Sequence, residues 1–76
     1  MTELEWVNIF GDNLADMLEN ANMTQQELAD AAGLSKATIS GYVNKRKSPG
    51  LKAIVNIAHA LNCSVDELVD FEEMIE

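Results

Sequence analysis

An all-α fold of five helices is predicted for this chain by three observations. Ser or Thr followed three residues later by Glu occurs three times, as Thr2 with Glu5, Thr24 with Glu27 and Ser64 with Glu67. In that pattern a hydroxyl caps a free amide and the carboxylate reaches back to the cap residue. Apolar residues recur at spacings of three and four, the period of a helix face. The chain is 47% hydrophobic with four aromatic residues and one proline, a composition suited to helices packed through aliphatic side chains, and no segment reads as a strand.

The first helix is predicted over about residues 3 to 21, with Trp6, Phe10, Leu14, Met17, Leu18 and Ala21 along one face. The second starts at Gln25 behind Thr24, its start bracketed by Met23 and Leu28. It turns Leu28, Ala29 and Ala32 inward and ends at Gly33, which tolerates a left-handed backbone. The third starts at Lys36 behind Ser35, bracketed by Leu34 and Ile39. Ile39, Tyr42 and Val43 lie on one side, leaving Lys36, Ala37, Ser40, Gly41 and Asn44 on the other. After the polar stretch from Lys45 to Pro49, a fourth helix is expected from about Leu51 to Leu61. Leu51, Ile54, Val55, Ala58 and Leu61 fall at core spacing there, behind the modest cap Gly50. The fifth follows Ser64, bracketed by Cys63 and Leu68, and is expected to bury Val65 and Leu68 before trailing into Phe71, Met74 and Ile75 among acids. There is no internal repeat.

Length and composition exclude several classes of function. Seventy-six residues are expected to make one domain, 1–76, whose single core is marginal enough to welcome a partner subunit. There is no room in it for a separate ligand-sensing unit, so no small-molecule ligand is expected. One cysteine, Cys63, and one histidine, His59, cannot form a disulfide or supply the ligands of a zinc site, so no metal or cofactor is expected. Their spacing of four suggests a nucleophile with its base, but a third group and an oxyanion cradle have no candidates, so the chain is read as no enzyme. The short apolar runs and acidic N-terminus suit neither a membrane span nor a signal peptide, and the expected location is cytoplasmic.

The net charge of −8 opposes nucleic acid at long range. Its distribution does not. Residues 1–35 carry seven acids and no base, residues 53–76 carry six acids and no Lys or Arg, and Lys36, Lys45, Arg46, Lys47 and Lys52 fall together with no acid among them. A solvated loop that collected lysines is the plainer reading of such a run.

Two helices joined by a short turn containing Gly33 are what a helix-turn-helix requires, the first crossing the DNA backbone and the second lying in the major groove. The small Ala29 suits a close crossing. The stretch MTQQELADAAGLSKATISGYV, Met23 to Val43, resembles the helix-turn-helix of phage repressor and Cro-like proteins, the XRE-type DNA-binding domain. PGLKAIVNIAHALNCSVDEL resembles the helices that follow it in that family, and the likeness covers roughly residues 9–69. It implies a five-helix lambda-repressor-like domain with its helix-turn-helix core at about 24–44.

By that resemblance Lys36, Ala37, Ser40 and Gly41 face base edges. Gln25 contacts phosphate, and Asn44, Lys45 and Arg46, with Lys47 beside them, grip the backbone. The chemistry agrees: lysine donates to guanine O6 and N7, an alanine methyl meets the thymine methyl, and amides and cations bind phosphate. Plainer roles stand beside these. Gln25 and Asn44 also read as surface residues of helix ends, Thr38 as a phosphate contact or as a partner within its own turn, and Trp6 and Tyr42 as core. Lys36 opposes the dipole of the helix it begins, which stability alone does not favour. Gly41 costs about 1 kcal/mol relative to alanine inside a helix. It is explained by close approach, by tolerant packing or by a readout thin in base contacts.

The chain departs from the family where many relatives pair an arginine on the first helix with a glutamate late in the third; here Leu18 and Val43 stand there, and an apolar contact can replace such a pair. Ala15 takes the place of a basic residue on the first helix. The functional expectation is a sequence-specific transcriptional regulator, a prophage or mobile-element repressor. It would bind double-stranded DNA as a homodimer whose surface includes Val69, Phe71, Met74 and Ile75. The alternative is a helix-turn-helix kept as an acidic protein-interaction module, antitoxin-like or polymerase-binding.

Overall fold

The computed structural model describes residues 2–69, which form α1 (Glu3–Ala21), α2 (Gln25–Ala32), α3 (Lys36–Val43), α4 (Leu51–Ala60) and α5 (Val65–Val69), with no strand among them. The helices begin where hydroxyls cap them. Thr24 accepts from the Glu27 amide at 3.0 Å while the Glu27 carboxylate accepts from the Thr24 amide at 2.9 Å, closing the reciprocal box. Thr2, Ser35 and Ser64 accept in the same way from Glu5, Thr38 and Glu67. At Thr2 the Glu5 carboxylate accepts from the Thr2 hydroxyl, at 3.2 Å.

Helix ends are equally local. Asn22 (φ 53), Gly33 (φ 70) and Asn62 (φ 55) take the left-handed conformation. The residue after each then donates back into the helix, Met23 to the Leu18 carbonyl, Leu34 to Ala29 and Cys63 to Ala58. These bonds satisfy carbonyls that a helix end otherwise leaves without partners.

Phe10, Leu14, Leu28, Ile39, Ile57 and Leu68 are fully buried, and Leu18, Ala29, Ala32, Tyr42, Ile54 and Ala58 complete one core with them. Helix α1 packs on α3 and α5, and α2 packs on α3 and α4, so the helix pair α2–α3 is backed from both sides. Trp6 stacks on Phe10, and Tyr42 meets Phe10 edge-on with centroids 5.8 Å apart. Leu18 is buried and Val43 packs against the same core, so apolar packing stands where a family ion pair was missing.

Three predicted core positions are corrected. Leu51 is 76% exposed and Val55 47% exposed, because the buried stripe of α4 centres on Ile54, Ile57 and Ala58. Val55 lies well round from it, and Leu51 begins the helix with nothing packed over it among the described residues. Val65, at the start of α5, is exposed, and the helix instead buries Leu68 and Val69. Val69 thereby leaves the expected dimer surface: it fills the core, where α5 is pinned to α1 by Asn13 Nδ2 donating to the Leu68 carbonyl at 2.8 Å. Phe71, Met74 and Ile75 lie outside the described residues.

Candidate nucleic-acid interface

The candidate interface is built on α3 and the loop that leaves it. Ser35 sets the first turn, and Ile39 and Tyr42 anchor one side of α3 in the core. That packing fixes which residues face outward. Lys36 and Ala37 are exposed, Ser40 is half-buried and Asn44 is exposed one turn on. Asn44 Nδ2 donates to Ser40 Oγ at 3.0 Å, so these two predicted contact residues hold each other in place. Thr38 has a partner within its own turn: its side-chain oxygen shares a 2.8 Å hydrogen bond with Ser35 Oγ. Gln25 is half-buried as the first residue of α2, next to the cap.

The basic loop folds back on the end of α3. Lys45 takes φ 64, which reverses the chain, and the amides of Arg46 and Lys47 then both donate to the Gly41 carbonyl, at 2.8 and 3.2 Å. Arg46 and Lys47 are thereby held at the end of α3, with both side chains exposed. Lys45 differs from them. Its ammonium pairs with Asp12 on α1 at 2.7 Å, so a phosphate would have to compete with a carboxylate already in place.

Gly41 requires a correction. Placed by the helical period on the outward face, it is buried, because the stem of Lys47 lies over it. A Cβ built at 41 would sit 2.8 Å from Lys47 Cδ and 3.0 Å from Cγ. The position therefore offers no surface of its own to a base.

Sequence reasoning missed Gly11. A Cβ there would lie 2.7 Å from the Tyr42 carbonyl oxygen, so its absence lets α1 close on the end of α3, where the loop reverses. The available signal was a glycine inside a strongly periodic helix, a choice that costs stability unless something needs the space. Lys52 is exposed in the first turn of α4.

The other candidate chemistry is quiet. Burial first, and then the nearby Glu67 charge, push the Cys63 thiol above its ordinary range, which disfavours the nucleophilic thiolate. Among the described residues no group of three or more His, Cys, Asp or Glu is placed to hold a metal ion. Among the same residues no helix is long and apolar enough to cross a membrane.

A helix pair joined by the three-residue turn Gly33–Leu34–Ser35, with the second helix begun by an exposed lysine and followed by a basic loop, defines a helix-turn-helix protein. Residues 14–68 match the XRE-type helix-turn-helix family HTH_3, and the chain belongs to that family. It is 30% identical over 64 residues to the uncharacterized HTH-type transcriptional regulator YqaE of Bacillus subtilis, a match covering 84% of this chain and 55% of that protein. It is 35% identical over 57 residues to the cryptic phage CTXphi transcriptional repressor RstR of Vibrio cholerae, covering 75% and 51%. The chain thus spans about half the length of these relatives. Among solved structures it resembles the restriction-modification controller protein C.AhdI from Aeromonas hydrophila, with TM-score 0.79, 26% identity and 82% and 94% of the two chains covered. It also resembles the clp gene regulator ClgR from C. glutamicum, with TM-score 0.80, 25% identity and coverage of 93% and 94%.

Proposed function

We propose that the chain is a sequence-specific DNA-binding transcriptional regulator that lays α3 in the major groove. The observation that carries this reading is the gathering of exposed cations about one helix. Lys36 stands at its start, and Arg46 and Lys47 are folded back beside its end, in a chain otherwise acidic. Lys36, Ala37 and Ser40 are the base-reading residues in this reading. Gln25, Asn44, Arg46 and Lys47 hold phosphate, with Lys45 joining when phosphate displaces Asp12 and Thr38 contributing whatever its hydroxyl retains beyond Ser35. Gly41, which lies under the Lys47 stem, is not counted among the readers in this reading.

Few long side chains face the bases. Specificity then rests on a small number of direct contacts together with DNA shape, while phosphate contacts supply most of the affinity. A homodimer on two half-sites about 34 Å apart is the arrangement by which so small a reader reaches useful affinity. The similarity to RstR, whose name is that of a phage repressor, favours a repressor of prophage or mobile-element type.

The competing reading, an acidic adaptor for a basic protein, draws on the charge of −8. It gives no reason for confining every Lys and Arg to residues 36–52. A fluorescence titration of labelled duplex over a series of salt concentrations separates the two. Binding that weakens steeply with salt and falls at least tenfold in Lys36→Ala and again in Arg46→Ala supports the regulator. Binding that neither substitution changes refutes this interface.

A further inference from the structure

Gly41 and Lys47 form one device. Glycine weakens a helix, and three explanations for it arise from sequence: close approach of DNA, packing tolerance, or a thin readout. Burial of Gly41 under Lys47 adds a fourth, since without DNA the space over the glycine is taken by a stem of the same chain. What occupies it is specific. A Cβ at 41 would lie 2.8, 3.0 and 3.3 Å from Cδ, Cγ and Cε of Lys47, so three consecutive methylenes cross the space an alanine methyl would take. The Arg46 and Lys47 amides, both bonded to the Gly41 carbonyl, fix the backbone from which that stem departs.

We propose that Gly41 is a positioning residue. By carrying no side chain it seats the stem of Lys47 across α3, and so fixes the Lys47 ammonium on the flank of that helix as a phosphate contact, in the place a long side chain at 41 would reach. The inference rests on the DNA-binding reading above. A lysine on a free stem loses rotamer freedom when it engages a phosphate, and a stem already laid against the helix loses less. Laying an aliphatic stem on protein while the ammonium stays in water is favourable for lysine. The arrangement also accounts for how an acidic chain with few base-reading side chains holds DNA: a cation supplied by the loop substitutes for one absent from the helix.

The test uses the whole chain, a fluorescein-labelled mixed-sequence duplex and four proteins: wild type, Gly41→Ala, Lys47→Ala and the double variant. Lys47→Ala is expected to weaken binding about tenfold and to lower the salt slope by about one. Gly41→Ala is expected to weaken binding by a similar factor while its thermal midpoint rises, because alanine is the better helix former and the flexible stem can move aside. A folding defect would move both in the same direction. The double variant should bind no worse than Lys47→Ala alone. Wild-type binding by Gly41→Ala, or losses that add in the double variant, overturns the inference and leaves the DNA-binding reading standing. No retention of duplex by wild type at low salt removes that reading and this inference together. Without DNA, nuclear Overhauser contacts between the Gly41 α-protons and the Lys47 γ and δ methylenes are expected, and their absence overturns the seat directly.

Discussion

At Gly11 a backbone carbonyl sits where a methyl group would go, 2.7 Å from the Cβ position, and a carbonyl in the last turn of α3 cannot swing aside as a side-chain tip can. Gly11→Ala is therefore expected to destabilise the fold by about 1–3 kcal/mol, the range for overpacking, despite alanine's better helix propensity. Thermal unfolding checks it, and an unchanged or raised midpoint would contradict the close contact. The neighbouring Asp12 bears on the proposed function more than on stability. Its pairing with Lys45 is open to solvent, the two side chains being 66% and 39% exposed, so the bond itself contributes less than about 1 kcal/mol. Asp12→Asn frees the ammonium and removes a negative charge beside the loop. Duplex affinity is expected to rise about threefold at low salt and to converge on wild type at high salt. Weaker binding at low salt would show that the pair holds the loop in its DNA-competent shape.

Helix α2 is only eight residues long, and its reciprocal box is where its stability is most exposed to mutation. Thr24→Ala is expected to cost about 1 kcal/mol, measured by denaturant unfolding. The Glu27 carboxyl is held below its ordinary range, chiefly by the hydrogen bond from the Thr24 amide and then by the Thr24 hydroxyl. A depressed folded value means that this contribution is present above the ordinary carboxylate range and is lost as pH falls through the folded value. Acid unfolding of Glu27→Gln should therefore lack that step. An acid profile superimposable on wild type would deny the box its role.

The same scale shows what a sequence discloses. Every cap at Thr2, Thr24, Ser35, Ser64 and Gly33 was legible, because capping links residues three or four apart. The α4 stripe was misjudged, since the period admits two neighbouring stripes and only the packing of α2 and α5 selects Ile57 over Val55. Lys45 against Asp12 and Lys47 over Gly41 depend on a chain reversal at Lys45 that nothing local announced, and Gly11 against Tyr42 depends on how α1 packs on α3. Lys36, Ala37 and Asn44 were read correctly as outward because helix period and exposure coincide there. Gly41 was not, because its cover comes from beyond the helix.

Across the whole molecule, charge and shape divide the labour. Thirteen acids lie before residue 36 or after residue 52, and the five Lys and Arg side chains lie between. On the proposed reading, the net −8 would slow the approach to DNA at long range, whereas at contact the local cations about α3 would dominate, since charges beyond about 10 Å are screened at moderate salt. Association should accordingly be slower than for a basic helix-turn-helix protein and should depend on salt through a small number of phosphate contacts. Selection of bound duplexes from a random library at low salt, with wild type and Lys36→Ala side by side, tests the central claim most directly. An enriched inverted repeat is expected for wild type that Lys36→Ala fails to enrich; enrichment of no sequence, with no duplex retained at low salt, would overturn the DNA-binding reading.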